Sequence, residues 1–152
     1  MGKIDDIDMK ILSELSKDAN ISVPRLAKKI NVNSSVVYSR IKRLAKRQLI
    51  RRFTIEVNDD LLGYNVSALI GLNIDFKYRD EILQELLKLD ITRDVYEVTG
   101  SFDLIVKARA HSLSELHESV SGKLGKINGV RKTETFIEMG RHPREMLYPV
   151  PV

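Results

Sequence analysis

The chain has 152 residues, enough for one large domain or two small ones and for a core that needs no staples. Hydrophobic residues make up 43% and charged residues 30%, which excludes a disordered chain. Cysteine is absent, which excludes disulfide frameworks, thiolate metal sites and cysteine nucleophiles and fits a reducing compartment. No apolar run approaches the ~20 residues of a membrane span. The opening Met1-Gly2-Lys3-Ile4-Asp5-Asp6 lacks the apolar stretch of a secretory leader. The expectation is a cytoplasmic soluble protein with no membrane partner.

Net charge is only +4, but residues 1–60 hold 13 Lys and Arg against 8 Asp and Glu, whereas residues 61–152 hold 12 against 13. Between Arg25 and Arg52 there are ten cations and no carboxylate. Scattered lysines commonly form a solvated face. An acid-free run of this density points instead to a polyanionic partner for the first half.

Asp5 to Ser16 reads as a helix with Ile7, Ile11, Leu12 and Leu15 on one stripe and Asp5, Asp6 and Asp8 at its N-terminal end. Ser22 is placed to cap a second, short helix that tolerates Pro24 in its first turn and turns Leu26, Ala27 and Ile30 inward. Asn33 caps a third helix running to about Arg47, with Val37, Ile41 and Leu44 as its seam. Leu49 to Val57 reads as extended, and the charge balance changes near Asn58 to Tyr64. We therefore expect domains at 1–60 and 61–152.

The second half predicts strands at Val66–Ile74, Val95–Thr99, Leu104–Ala110 and Lys132–Met139, with helices at Arg79–Lys88 and from the Ser112 cap through Leu124. The order β-α-β-β-α-β predicts a ferredoxin-like, four-stranded antiparallel sheet with helices on one face, making the whole chain α+β. Leu69, Gly71 and Val106 are expected on the bare face, which a second copy of the chain would cover. Pro143, Pro149 and Pro151 make the tail an arm that cannot extend a helix.

A helix-turn-helix needs a small residue where its helices cross and, four positions on, a residue that tolerates left-handed backbone. Ala27 and Asn31 fill those places. The third helix then exposes Asn33, Ser34, Ser35, Tyr38 and Ser39 near its start and Arg40, Lys42, Arg43 and Lys46 further along. Short polar groups suit base edges and later cations suit phosphates. Arg51 and Arg52 would form a wing beside the DNA backbone. The alternative is a three-helix bundle with a basic surface.

These residues resemble the Lrp/AsnC family, the leucine-responsive or feast/famine transcription regulators. Asp5-x-x-Asp8-x-x-Ile11-Leu12-x-x-Leu15 resembles its first helix, and Asp18-Ala19-Asn20-Ile21-Ser22 through Leu26-Ala27 its second. Val37-x-x-Arg40-Ile41-x-Arg43-Leu44 with Leu49-Ile50 resembles its recognition helix and exit strand. Val98-Thr99-Gly100-Ser101-Phe102-Asp103 resembles the turn of its regulation domain. Asn31 departs from the glycine common in relatives, a tolerable exchange. The resemblance implies a winged helix-turn-helix that binds a partly palindromic double-stranded DNA. It also implies a domain that senses a free amino acid at a pocket between dimers, and a homo-oligomer growing from dimer to tetramer or octamer.

Chemistry alone leaves two readings of that turn. Glycine there exposes backbone N–H groups that hold a carboxylate, and Asp103 either accepts from an ammonium or bonds its own backbone. The resemblance makes residues 98–103 part of the effector site. Glu118 and Gly122 share a helix face, and Thr133, Thr135 and Ile137 one strand face, so these five are further candidates. A carboxylate at Glu118 beside a leucine side chain would be costly. The expected effector therefore carries a side-chain nitrogen, with glutamine first because it fits a nitrogen-status signal and arginine or lysine also ahead of leucine.

As for enzymes, His111, His117 and His142 lack metal-ligand spacing, and no nucleophile elbow, P-loop or dinucleotide fingerprint is present. No metal, cofactor or catalytic residue is expected. The rival comes from within the resemblance: some AsnC-like proteins are haem-pathway decarboxylases acting on sirohaem. Those need cations at the pocket for propionates, whereas here the cations gather in the first half.

Overall fold

The computed structural model describes residues 3–148, so Pro149, Pro151 and the Met1-Gly2 start lie outside the described residues. Residues 3–56 together with 142–148 form one compact unit and residues 57–141 a second. The division falls a few residues before the expected 60/61 boundary, and the described tail joins the first unit.

The first unit contains α1 (Asp6–Lys17), α2 (Val23–Ile30) and α3 (Ser34–Lys46). Asp5 caps α1 through a reciprocal box in which its side chain accepts from the Asp8 N–H and its own N–H donates to Asp8. Asn33 caps α3 by accepting from the Ser35 N–H at 2.8 Å. Asn31 ends α2 at φ 54° in left-handed backbone, as the turn requires. Ile11, Leu26, Ala27, Val37 and Leu44 are the buried core, with Ile30 and Ile41 packed at its margin.

The segment 49–57 departs from expectation. It forms no strand, and the Leu49 and Ile50 N–H groups both donate back to the Leu44 carbonyl. An extended segment without a partner strand has no ladder to hold it, so no wing sheet forms among the described residues. Phe53, Ile55 and Val57 stand exposed along it. The tail is not a free arm either: the Tyr148 N–H donates to Ser13 Oγ at 3.2 Å, and Glu145 pairs with Lys17.

The second unit contains β1 (Val66–Ile74), α4 (Arg79–Lys88), β2 (Thr92–Glu97), β3 (Leu104–Ala110), α5 (Leu113–Gly122) and β4 (Val130–Ile137). The sheet is antiparallel throughout, in the order β2-β3-β1-β4, the ferredoxin-like arrangement. Ala68, Ile70 and Leu72 of β1 and Leu104, Val106, Ala108 and Ala110 of β3 turn inward to Ile82, Leu86, Leu116 and Leu124. Val106 pairs with Ile70 and is buried, so it lies on the helix-covered face and not on the bare one. Ile105, opposite Gly71, takes its place beside Leu69.

Candidate functional site

One helix turn every 3.6 residues divides α3 into two faces. Val37 and Leu44 face the core. On the outer face Ser34, Ser35, Tyr38, Ser39, Lys42 and Lys46 are exposed. Tyr38 is 52% exposed, and the Lys42 ammonium sits 4.7 Å from its ring centre, a pairing that holds both side chains outward. The Ser35 hydroxyl donates to Asn33 Oδ1 at 2.8 Å, and the Ser39 hydroxyl to the Val36 carbonyl at 3.1 Å.

Arg40 and Arg43 stand apart from that face. Arg43 Nη2 lies 2.7 and 2.9 Å from the two oxygens of Asp8, and Arg40 Nη1 lies 3.1 Å from Asp8 Oδ1 and also bonds Asp5. Asp8 is fully buried. The Arg40 guanidinium, followed by the Asp8 N–H, holds the Asp5 carboxyl below the usual carboxylate range. Sequence points both arginines toward DNA; in the fold both are paired with carboxylates of α1, as a buried carboxylate demands, with Arg43 still half-exposed. The signal was available: Asp5 and Asp8 share the three-residue spacing of Arg40 and Arg43. Arg51 and Arg52 are exposed and line an open groove of about 1040 Å³ with Leu12, Leu15, Asp18 and Phe53.

In the second unit the 98–103 turn is stitched to β1. The Val98 N–H donates to the Asp103 carbonyl, the Asp103 N–H to the Leu72 carbonyl at 2.9 Å, and Asn73 Nδ2 to the Ser101 carbonyl at 2.8 Å. Asp103 Oδ2 accepts the Ile74 N–H at 2.9 Å, so one carboxylate oxygen organises the turn itself. Gly100 has φ +119° and open space around it, and Thr99, Gly100 and Ser101 are exposed. Phe102 lies flat over Gly71, where a Cβ would meet its ring at 2.7 Å, and meets Phe136 edge-on at 6.1 Å. Glycine in the strand permits that approach.

The remaining candidates lie elsewhere. Thr133, Thr135 and Ile137 pair with Leu72, Ile70 and Ala68, which puts them on the helix side of the sheet, opposite Phe102. Glu118 and Gly122 are exposed on α5. Gly122 is the last residue of that helix and has no atom near its Cβ position, so neither tight packing nor a mid-helix penalty explains it. No hydrogen bond or ion pair joins these five residues to the turn among the described residues. A single chain supplies pieces of the expected pocket on two faces. The sequence reading also missed a stack next to β1. Arg109 lies 4.0 Å over the Tyr64 ring, Tyr64 stacks on His111, and Asp59 bonds both Arg93 and Arg109.

The family model for the AsnC-type helix-turn-helix domain matches residues 4–45, and that for the Lrp/AsnC ligand binding domain matches residues 67–147. The chain belongs to the Lrp/AsnC family. It is similar to the HTH-type transcriptional regulator FL11 of Pyrococcus furiosus, at 35% identity over 98% of each chain. It is also similar to the regulatory protein AsnC of Haemophilus influenzae, at 29% identity over 91% of this chain and 93% of the other. The fold matches E. coli AsnC with a TM-score of 0.87 at 26% identity, over 97% of this chain and all of the other. It also matches a Neisseria meningitidis transcriptional regulator solved as an L-Met complex, at 0.91 and 17% identity over 97% of each. As an Lrp/AsnC protein the chain is a DNA-binding transcriptional regulator with a ligand binding domain for a small amino acid. Among the described residues no helix is long and apolar enough to cross a membrane.

Proposed function

We propose that the protein reads a partly palindromic duplex with α3 and that a free amino acid, bound by the second unit, alters that reading. The exposed face of α3 carries the proposal. Ser34, Ser35, Tyr38 and Ser39 are positioned to meet base edges, with Asn33 at the helix start, and Lys42 and Lys46 to meet phosphates. Arg51 and Arg52 are exposed cations for the flanking backbone. Arg40 and Arg43 leave the list of phosphate ligands. We infer a cytoplasmic location from the chain's similarity to transcriptional regulators of bacteria and archaea.

The bare sheet face supports a homodimer. Leu69, Tyr96 and Phe136 are exposed there beside Ile105, and a second copy is the simplest cover for such a face. Two copies present two α3 helices about one DNA turn or a multiple apart. The separation of Glu118, Gly122, Thr133, Thr135 and Ile137 from the 98–103 turn is what a pocket shared between subunits requires, and it favours assembly to tetramer or octamer. In that pocket the Gly100 turn takes the carboxylate, and the second oxygen of Asp103 takes the ammonium. Glu118 from another copy then prefers a nitrogen-bearing side chain, which puts glutamine, arginine and lysine ahead of leucine, with glutamine first because it fits a nitrogen-status signal. The fold itself admits other choices, since the Neisseria protein is an L-Met complex.

We propose no catalytic role. The sirohaem decarboxylase alternative needs free cations for propionates. In the second unit four arginines are already engaged, Arg93 and Arg109 by Asp59, Arg79 by Glu97 and Arg131 by Asp75, which leaves lysines such as Lys107 and Lys123 as the weaker candidates for propionates. The test is a gel-shift titration at two salt concentrations with a duplex selected from a random pool, with each amino acid added in turn. Steep salt dependence and a shift caused by glutamine are expected. Equal affinity after loss of residues 1–60 would sink the DNA reading, and a stoichiometric tetrapyrrole complex would favour the enzyme.

A further inference from the structure

Asp8 is the one fully buried carboxylate among the described residues, and its two oxygens are saturated. Oδ1 accepts from Arg40 and Arg43, and Oδ2 from Arg43 and the Asp5 N–H. Both arginines come from α3, three residues apart on one face. At 3.6 residues per turn, Tyr38 and Lys42 fall on the side of α3 away from Arg40. Apolar packing of Val37 and Leu44 alone leaves α3 some freedom to roll, because hydrophobic contact is not directional. A guanidinium fork on a carboxylate is directional. Most coordinates of the pair are therefore fixed: α3 can turn its Tyr38 face only where Asp8 keeps hold of Arg40 and Arg43.

We propose that Asp8, through Arg40 and Arg43, is a positioning residue for sequence discrimination. It sets the roll of α3 and hence which side chains reach base edges. A corollary runs against composition: Arg43, within the acid-free basic run, contributes nothing to phosphate binding. The inference rests on α3 being the DNA-reading helix, and the controls below separate the two.

The experiment uses the full chain, a duplex selected by the unaltered protein from a random-sequence pool, and a shuffled duplex of the same composition. Asp8→Asn keeps the shape of the side chain and removes its charge. It should lower the preference for the selected duplex about tenfold, the effect of losing one base-pair readout, while affinity for the shuffled duplex does not fall. Arg43→Gln, half-exposed and gentler to the fold, should do the same with the slope of log affinity against log salt unchanged. Lys42→Ala should instead reduce that slope by about 0.9, as loss of one phosphate contact requires. Circular dichroism at the assay temperature establishes that each variant is folded, so a change in preference reports positioning and not unfolding. If Asp8→Asn does not fold, Arg43→Gln decides alone. A folded Arg43→Gln that loses slope like Lys42→Ala, or that keeps full preference, overturns the proposal. If Lys42→Ala and Tyr38→Ala were both silent, α3 would not read DNA and the positioning role would fall with it.

Discussion

The two units solve the same problem of stability with different means. The second buries a contiguous apolar layer of thirteen residues between one sheet face and two helices, and its ion pairs lie outside that layer. The first buries five apolar residues and closes the α1–α3 contact with a carboxylate and two guanidiniums. A small three-helix unit cannot bury enough carbon to fix every helix, so direction is supplied by polar groups. The contrast extends to function. The face proposed to read DNA lies mainly on one helix of one chain, whereas the proposed effector residues are divided among the 98–103 turn, α5 and the helix side of β4.

The largest test of this contrast removes carbon from each core. Leu44→Ala deletes a fully buried side chain and should cost roughly 2–5 kcal/mol. With so few partners the first unit has little to spare, so amide protection in α1, α2 and α3 should collapse and DNA binding with it. Protection in β1 and β3 should persist. Ile70→Ala, equally buried, should weaken the sheet and leave α1–α3 protected. Loss of protection in both units from either change would mean that they do not stand independently.

A second test concerns the link between the core and the 98–103 turn, the proposed effector site. A Cβ at position 71 would lie 2.7 Å from the Phe102 ring, so Gly71→Val must expel that ring from the sheet. The expected cost is about 1–3 kcal/mol. Amino-acid binding, followed by calorimetry, should fall further than stability does, because Phe102 anchors the 98–103 turn. Combining Gly71→Val with Phe102→Ala should recover part of the stability, a coupling that a mere strand effect would not show.

How legible each region was follows from the same physics. The element order, the Asn31 left-handed turn and the Asn33 and Ser112 caps were readable because periodicity and capping are local. The strand expected at 49–57 failed because alternation of Phe53, Ile55 and Val57 promises a ladder only when a partner strand exists. Val106 is misplaced on the bare face although Lys107 and Arg109 alternate with it, and that alternation, like the register with Ile70, puts Val106 on the buried face. Arg40 and Arg43 were assigned by charge density, which cannot see a carboxylate 32 and 35 residues away. Helical spacing puts Glu118 and Gly122 on one face of α5, but spacing within one element does not say which copy of the chain that face meets.

A smaller effect is expected where α3 ends. Gln48 has φ 59°, a left-handed backbone that costs a non-glycine residue about 1 kcal/mol or more. Sequence offered no glycine to mark it. Gln48→Gly should therefore raise the urea midpoint of the first unit by an amount equivalent to about 1 kcal/mol. Asn31→Gly, at φ 54°, should gain less, because asparagine already tolerates that region. An unchanged or lower midpoint for Gln48→Gly would mean that the weak Gln48 side-chain bond to the Ala45 carbonyl outweighs the backbone strain.

The smallest effect separates the units by the origin of their acid sensitivity. In the first unit Asp5 is held below its ordinary range chiefly by Arg40, and Glu14 chiefly by Lys29 and then Lys17. In the second, Asp75 is lowered first by the Lys77 N–H and then by Arg131, and Glu115 first by the His111 N–H and then by its ring. All four shifts have the same sign. A carboxyl lowered by folding binds fewer protons in the folded state than in the unfolded one, so its contribution is present above the unfolded value. It is lost as pH falls through the folded value, in the window below about pH 4. Between pH 5 and pH 8 these groups leave stability flat. The partners differ in how salt acts on them. Charges supplied by distant side chains on exposed surfaces are screened, whereas a backbone N–H two to four residues away is a local hydrogen bond that ions barely touch. Added salt should thus flatten the acid limb of the first unit more than that of the second, read from urea midpoints of NMR resonances in α1–α3 and in the sheet. Asp5→Asn should remove part of the first limb and make the remainder less salt-sensitive. Equal salt sensitivity of the two limbs would show that side-chain ions do not distinguish these units.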